Sequence, residues 1–134
     1  MENIKARLLV VEDDHDTSAM LGLCLHQEGY EVRFANSVNE AKQCLVKGML
    51  GQQAIELVIA DWQLPDGTGA NVCAAVRSID SSMPIIVISG VIGRAEMKDM
   101  EYHGDEYLEK PLDLNTLRDT IERLLKWRRA PKSN

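Results

Sequence analysis

The chain has 134 residues and a mass of 15.0 kDa, which is one domain's worth, since single hydrophobic cores are commonest at about 100–150 residues. Apolar residues make up 45% and charged residues 27%, a balance that supplies a core and excludes a largely disordered chain. The formal net charge of −6, from 21 acidic and 15 basic side chains, excludes general electrostatic attraction to nucleic acid or to an anionic membrane surface.

The first stretch, MENIKARLLVVEDD, has a short apolar run cut off by Glu12, Asp13 and Asp14, so it lacks the long apolar region of a signal peptide. No run approaches the ~20 apolar residues of a membrane span, and the expected location is cytoplasmic. Leu8 to Val11 is apolar at every position, the form of a strand covered on both faces of a parallel sheet. A first helix carrying Met20, Leu23 and Cys24 should stop at Gly29. Val32 and Phe34 then alternate with Glu31 and Arg33, which predicts a half-exposed strand near an edge. Ser37-Val-Asn-Glu40 has the form of a capping box opening a second helix with Ala41, Cys44 and Leu45.

Leu57 to Ala60 is a second fully apolar run, and it leads directly into Asp61. Val72, Cys73, Val76 and Ile79 mark a third helix, and Ile85 to Ile88 a further buried strand ahead of Ser89 and Gly90. A fourth, weakly patterned helix is expected over Arg94 to Met100 and a fifth strand at Tyr107-Leu108. Leu114, Leu117, Ile121, Leu124 and Leu125 repeat at helical spacing and predict a long final helix. The expected division is a domain over residues 1–127, then a basic flexible tail or the start of a linker over 128–134. Cys24, Cys44 and Cys73 are odd in number and sit among apolar neighbours, which predicts reduced, partly buried thiols.

Five strands alternating with helices define a doubly wound α/β domain, because parallel neighbours need a crossover helix. Ligands in such sheets sit outside the carboxyl ends of the strands. That edge should gather Glu12, Asp13 and Asp14 from the first strand, Asp61 from the third, Ser89 from the fourth and Lys110 after the fifth. Clustered carboxylates in a partly desolvated cleft take up protons unless a cation neutralises them. Oxygen ligands without clustered His or Cys select a hard cation, and a site with few protein ligands suits Mg²⁺. Beside such a metal Asp61 is a carboxylate nucleophile needing no general base, and attack on phosphorus would give an acyl phosphate. Lys110, Ser89 and backbone amides would then meet the charge on the transferring group. Asp14, Asp66 and Asp105 also read as solvated turn residues, Trp62 as a partly exposed neighbour of the site, and His15, His26 and His103 as structural or surface groups.

The segments LLVVEDD, LVIADWQLPDGTG, PIIVISG and YLEKPL occur in that order, and the chain from about Arg7 to Trp127 resembles a receiver domain of two-component response regulators. The resemblance implies a flavodoxin-like (βα)5 fold, a five-stranded parallel sheet in the order 2-1-3-4-5 with helices on both faces. It implies Asp61 as phosphoacceptor, with Ser89 and Lys110 contacting the phosphoryl group. Asp13, Asp61 and the backbone carbonyl of Gln63 are implied as direct ligands of Mg²⁺, or of Mn²⁺ in its place, and Glu12 as an acid acting on the metal through water. Ser89 and Tyr107 match the switch pair, and Lys110-Pro111 matches a peptide bond that is typically cis. Implied partners are a sensor histidine kinase or histidine phosphotransfer protein and a downstream effector or output domain, without direct nucleic-acid or membrane binding by this domain. The face made by the fourth helix, fifth strand and fifth helix is a candidate homodimer surface. Departures from the family pattern are Glu12 for Asp, Ser89 for Thr, His103-Gly104 for the usual Gly-Ala, and Leu112 for Phe. The last helix also lacks the arginine pattern of the winged-helix transcriptional subfamily.

The function expected is a phosphorylation-activated signalling switch, catalysing only its own aspartyl phosphorylation and dephosphorylation. Two alternatives belong to other classes. A Mg²⁺-dependent phosphatase of the haloacid-dehalogenase kind would need a nucleophilic Asp two places before Asp66, where Leu64 stands. A receiver-like module that works without phosphate would not need the chemically competent set of switch residues present here.

Overall fold

The structure is a computed structural model that describes residues 3–48, 54–90 and 104–131. The helix expected over Arg94 to Met100, and His103, lie outside the described residues. The sheet strands are β1 (Arg7–Val11), β2 (Glu31–Ala35), β3 (Leu57–Asp61), β4 (Ile85–Ser89) and β5 (Glu106–Glu109). All four pairings are parallel, as the alternation of strands and helices requires, and the order is β2-β1-β3-β4-β5, as the resemblance implies. Helices α1 (His15–Gln27), α2 (Val38–Gly48), α3 (Gly69–Ile79) and α4 (Leu114–Arg129) surround the sheet, and Gln63–Leu64 and Gly67–Thr68 form a separate two-stranded ribbon.

Side-chain alternation along the strands splits the core in two. Leu9, Val11, Val58, Ala60, Ile85 and Val87 face α2 and α3. Leu8, Val10, Leu57, Ile59, Ile86 and Ile88 face α1 and α4, where they meet Leu21, Leu25, Leu117 and Ile121. The runs Leu8 to Val11, Leu57 to Ala60 and Ile85 to Ile88 are therefore apolar on every position because both faces are covered, and β2, at the sheet's edge, is not. There Phe34 stays 45% exposed. Of the apolar repeat in α4, Leu117, Ile121, Leu124 and Leu125 are buried, whereas Leu114 at the helix start is largely exposed.

Helix ends follow local chemistry. Ser37 accepts from the Glu40 amide at 3.1 Å, the half of the expected capping box that holds the first turn of α2. The chain leaving α1 turns at Gly29, whose φ of +97° is open to glycine and strained for residues with a Cβ. Gly29→Ala should therefore destabilise the protein by about 1–2 kcal/mol in urea denaturation, and a neutral result would mean that the turn relaxes.

The first two residues of the segment expected as a tail, Arg128 and Arg129, are helical. α4 continues through Arg129, because Arg128 binds Asp80 at 3.0 Å while Arg129 binds Glu56 at 2.7 Å and the Lys5 carbonyl at 2.7 Å. Those partners, on distant segments, hold the last turn of the helix against the base of the sheet.

Candidate functional site

Strand register decides which side chains meet at the carboxyl edge. Val11 is level with Ala60, so Glu12 comes level with Asp61. Asp61 is level with Ile88, which sets Ser89 one step further out, and Ser89 is level with Glu109, which sets Lys110 one step beyond that. The edge is thus a stair of four strand ends, and a long side chain from its outermost step can lean back over the others.

Lys110 does so. Its ammonium donates to Glu12 Oε1 at 2.9 Å and to Asp61 Oδ2 at 2.7 Å, joining residues 98 and 49 positions away in the chain. The other Asp61 oxygen, Oδ1, accepts from the Gln63 amide at 3.0 Å. Asp61 is only 7% exposed and Glu12 only 4%, whereas Asp13 is open to solvent. One carboxylate oxygen from each of Glu12, Asp13 and Asp61 lies within 4.8 Å of the others.

Burial, with a hydrogen bond shared with Asp61, pushes the Glu12 carboxyl up to about 7, and Lys110 only partly offsets this. Burial by itself would lower the Lys110 ammonium, but its bonds to Asp61 and Glu12 outweigh that and raise it. Three carboxylates against one ammonium leave two formal negative charges, the charge of one divalent cation. An all-oxygen donor set fits a hard cation such as Mg²⁺.

Ser89 is 2% exposed and its hydroxyl has a long, 3.4 Å contact with the Gly90 carbonyl, while its own carbonyl accepts from the Lys110 amide at 2.6 Å. The Lys110-Pro111 peptide is cis. Tyr107 lies level with Val87, three residues before Lys110, and packs half-buried against the α2/α3 core. Trp62 corrects the expectation of partial exposure: it is 5% exposed and belongs to that same core. Gly69 makes the room, since a Cβ there would stand 3.0 Å from Trp62 Cε3.

The three acids that read as solvated turn residues are each hydrogen-bonded to backbone. Asp14 caps α1 by accepting from the Thr17 amide, and Asp105 accepts from the Ile85 amide at 2.7 Å while pairing with Arg77. Asp66 accepts from the Val38 amide at 2.7 Å and the Asn39 amide at 3.0 Å, at the start of α2. Only the Asp14 contact is local enough to be seen as a sequence pattern. Cys73 is buried, and burial lifts its thiol to about 11, leaving it inert at neutral pH. Among the described residues no helix is long and apolar enough to cross a membrane.

An acid cluster at the carboxyl edge of a 2-1-3-4-5 parallel sheet, bridged by a lysine, defines a signalling class: the chain belongs to the response regulator receiver domain family, whose model matches residues 8–122. Receiver domains serve phosphorylation-based signalling in two-component systems. A probable transcriptional regulatory protein of Picosynechococcus is 34% identical over 116 residues, covering 84% of this chain and 46% of that protein. The transcriptional regulatory protein AruR of Pseudomonas aeruginosa is 31% identical over 121 residues, covering 90% of this chain and 49% of that protein. The chain spans about half the length of these curated relatives. A crystal structure of a putative response regulator from Chloroflexus aurantiacus shares 31% identity at a TM-score of 0.78, covering 90% of this chain and 97% of that one.

Proposed function

We propose that this receiver domain is a phosphorylation switch in which Asp61 accepts the phosphoryl group, with Mg²⁺ held by Asp13, Asp61 and the Gln63 carbonyl and with Glu12 acting on it through water. The observation that carries the reading is the Asp61 carboxylate, 7% exposed at the end of a fully buried strand and gripped by Lys110 at 2.7 Å. A rigid strand end presents the nucleophile without the entropy of a mobile loop. When bound, Mg²⁺ supplies charge neutralisation for the transferring phosphoryl oxygens. Lys110 contributes a second positive charge, and Ser89 contributes a buried hydroxyl at the next strand end.

Ser89 and Tyr107 are the proposed switch pair. Ser89 is level with Glu109, two register steps beyond Tyr107 on the neighbouring strand, so a pull on Ser89 is felt by the strand that carries Tyr107. The domain is proposed to receive phosphate from a histidine kinase or phosphotransfer protein and to pass the signal to an effector or output domain. The names of the curated relatives favour an output in transcription.

Asp61→Asn keeps the shape of the side chain and removes the nucleophilic carboxylate. Mg²⁺-dependent labelling by acetyl phosphate should fall to background in this variant while its circular dichroism spectrum is unchanged. Labelling at the wild-type level would move the phosphoacceptor elsewhere.

A further inference from the structure

We propose that Asp66 is a positioning residue for the candidate metal centre: by fastening the segment between β3 and α3 to the first turn of α2, it fixes the backbone that carries the Gln63 carbonyl. The inference rests on the reading of that carbonyl, Asp13 and Asp61 as a Mg²⁺ site.

Gln63 and Leu64 pair antiparallel with Thr68 and Gly67 in a two-residue ribbon, and Pro65 and Asp66 form its tip. The base of the ribbon is tied to the site, since the Gln63 amide donates to Asp61 Oδ1 and the Gly69 amide donates to the Trp62 carbonyl at 2.8 Å. So short a ribbon has little stability of its own and swings about its base unless the tip is held. Asp66 holds it. Its two oxygens each take one of the free amides at the start of α2, from Val38 and Asn39, 28 and 27 positions back in the chain. The two amides hold the Asp66 carboxyl below the usual carboxylate range, as expected for an anion at a helix N-terminus.

The segment leading into that helix end is itself bonded to the acid cluster. Ala35, three residues before Val38, accepts from the Glu12 amide at 2.9 Å. A closed circuit of bonds therefore runs from Asp61 to Gln63, along the ribbon to Asp66, across to Val38, back to Ala35 and Glu12, and through Lys110 to Asp61 again. Asp66 closes that circuit without touching the centre. A carboxylate suits the task because it offers an acceptor oxygen to each of two parallel amides.

Isothermal titration calorimetry with Mg²⁺ on the full chain tests the role, using Asp66→Ala, Asp66→Asn and Ser37→Ala. Ser37→Ala removes the acceptor for the Glu40 amide at the same helix end and leaves the ribbon clamped. Asp66→Ala should weaken Mg²⁺ binding about tenfold, the size seen when a group orienting a metal ligand is lost. Asp66→Asn should fall between Ala and wild type, having one acceptor oxygen in place of two, and Ser37→Ala should bind as wild type. In the metal-free protein, amide hydrogen exchange over residues 63–68 should accelerate in Asp66→Ala and not in Ser37→Ala.

A folded Asp66→Ala that binds Mg²⁺ as wild type does, with only its thermal midpoint lowered, reduces Asp66 to a helix cap and overturns the proposal. Equal weakening in Asp66→Ala and Ser37→Ala also overturns it, because the effect would then come from the helix. A wild-type chain that takes up no Mg²⁺ removes the metal reading itself, an outcome distinct from either.

Discussion

Lys110→Ala weakens the metal-free protein at pH 8 by about 1–3 kcal/mol, and Mg²⁺ restores much of the loss. Removing one partner of a fully buried ion pair costs about 3–5 kcal/mol, because the other charge is stranded away from water. Here the Lys110 side chain is 31% exposed, so solvent screens part of the interaction and the smaller range applies. Without the ammonium, Glu12 and Asp61 face each other at the buried strand ends with no cation between them. The pH dependence follows from Glu12, whose carboxyl in the fold sits at about 7 against an ordinary 4.5. A group raised in this way contributes stability that is fully present below about 4.5 and lost as pH rises through about 7. Loss of Lys110 raises it further, so the gap between variant and wild type should shrink on going from pH 8 to pH 5.5, as Glu12 takes up its proton. Urea denaturation at both pH values, with and without Mg²⁺, measures all four quantities. A gap that does not change with pH would show that the lysine acts through packing of its stem.

Ile59→Ala has the largest effect on stability, about 3 kcal/mol within the 2–5 kcal/mol range for such truncations. Ile59 is fully buried at the middle of β3, level with Val10 on one side and Ile86 on the other. It lies between the sheet and the α1/α4 layer with Leu21, Leu117 and Ile121. Neighbouring strands hold β3 by ladders on both edges, so the backbone cannot collapse into the space left behind. The thermal midpoint should drop by roughly 10 °C for a domain of this size. Mg²⁺ binding by the folded fraction should be unchanged, since Asp61 is fixed by the ladder and by Lys110. A loss under 1 kcal/mol in denaturation followed by both fluorescence and circular dichroism would mean that the two core layers close over the gap.

Both residues could be read from the sequence. Local pattern was enough for Ile59: an unbroken apolar run of four residues is stable only when both faces are covered, which already implies a central parallel strand. The same holds for Gly29, for the capping serine of α2, and for the run of acids and a lysine at successive strand ends. Each is a statement about a few adjacent residues, and chain order then limits how the strands can be arranged.

Trp62, Asp66 and the end of α4 needed the tertiary structure. Trp62 is buried because Gly69 leaves room for the indole. Asp66 finds its amides 27 and 28 residues upstream, and Arg128 and Arg129 stay helical because Asp80, Glu56 and the Lys5 carbonyl lie across from them. The sequence by itself determined the strands and the side chains available at the carboxyl edge, because burial periodicity and turn chemistry act over a few residues. Only the tertiary structure decided which donor meets which acceptor, because hydrogen bonds and ion pairs act over about 3 Å whatever the separation along the chain.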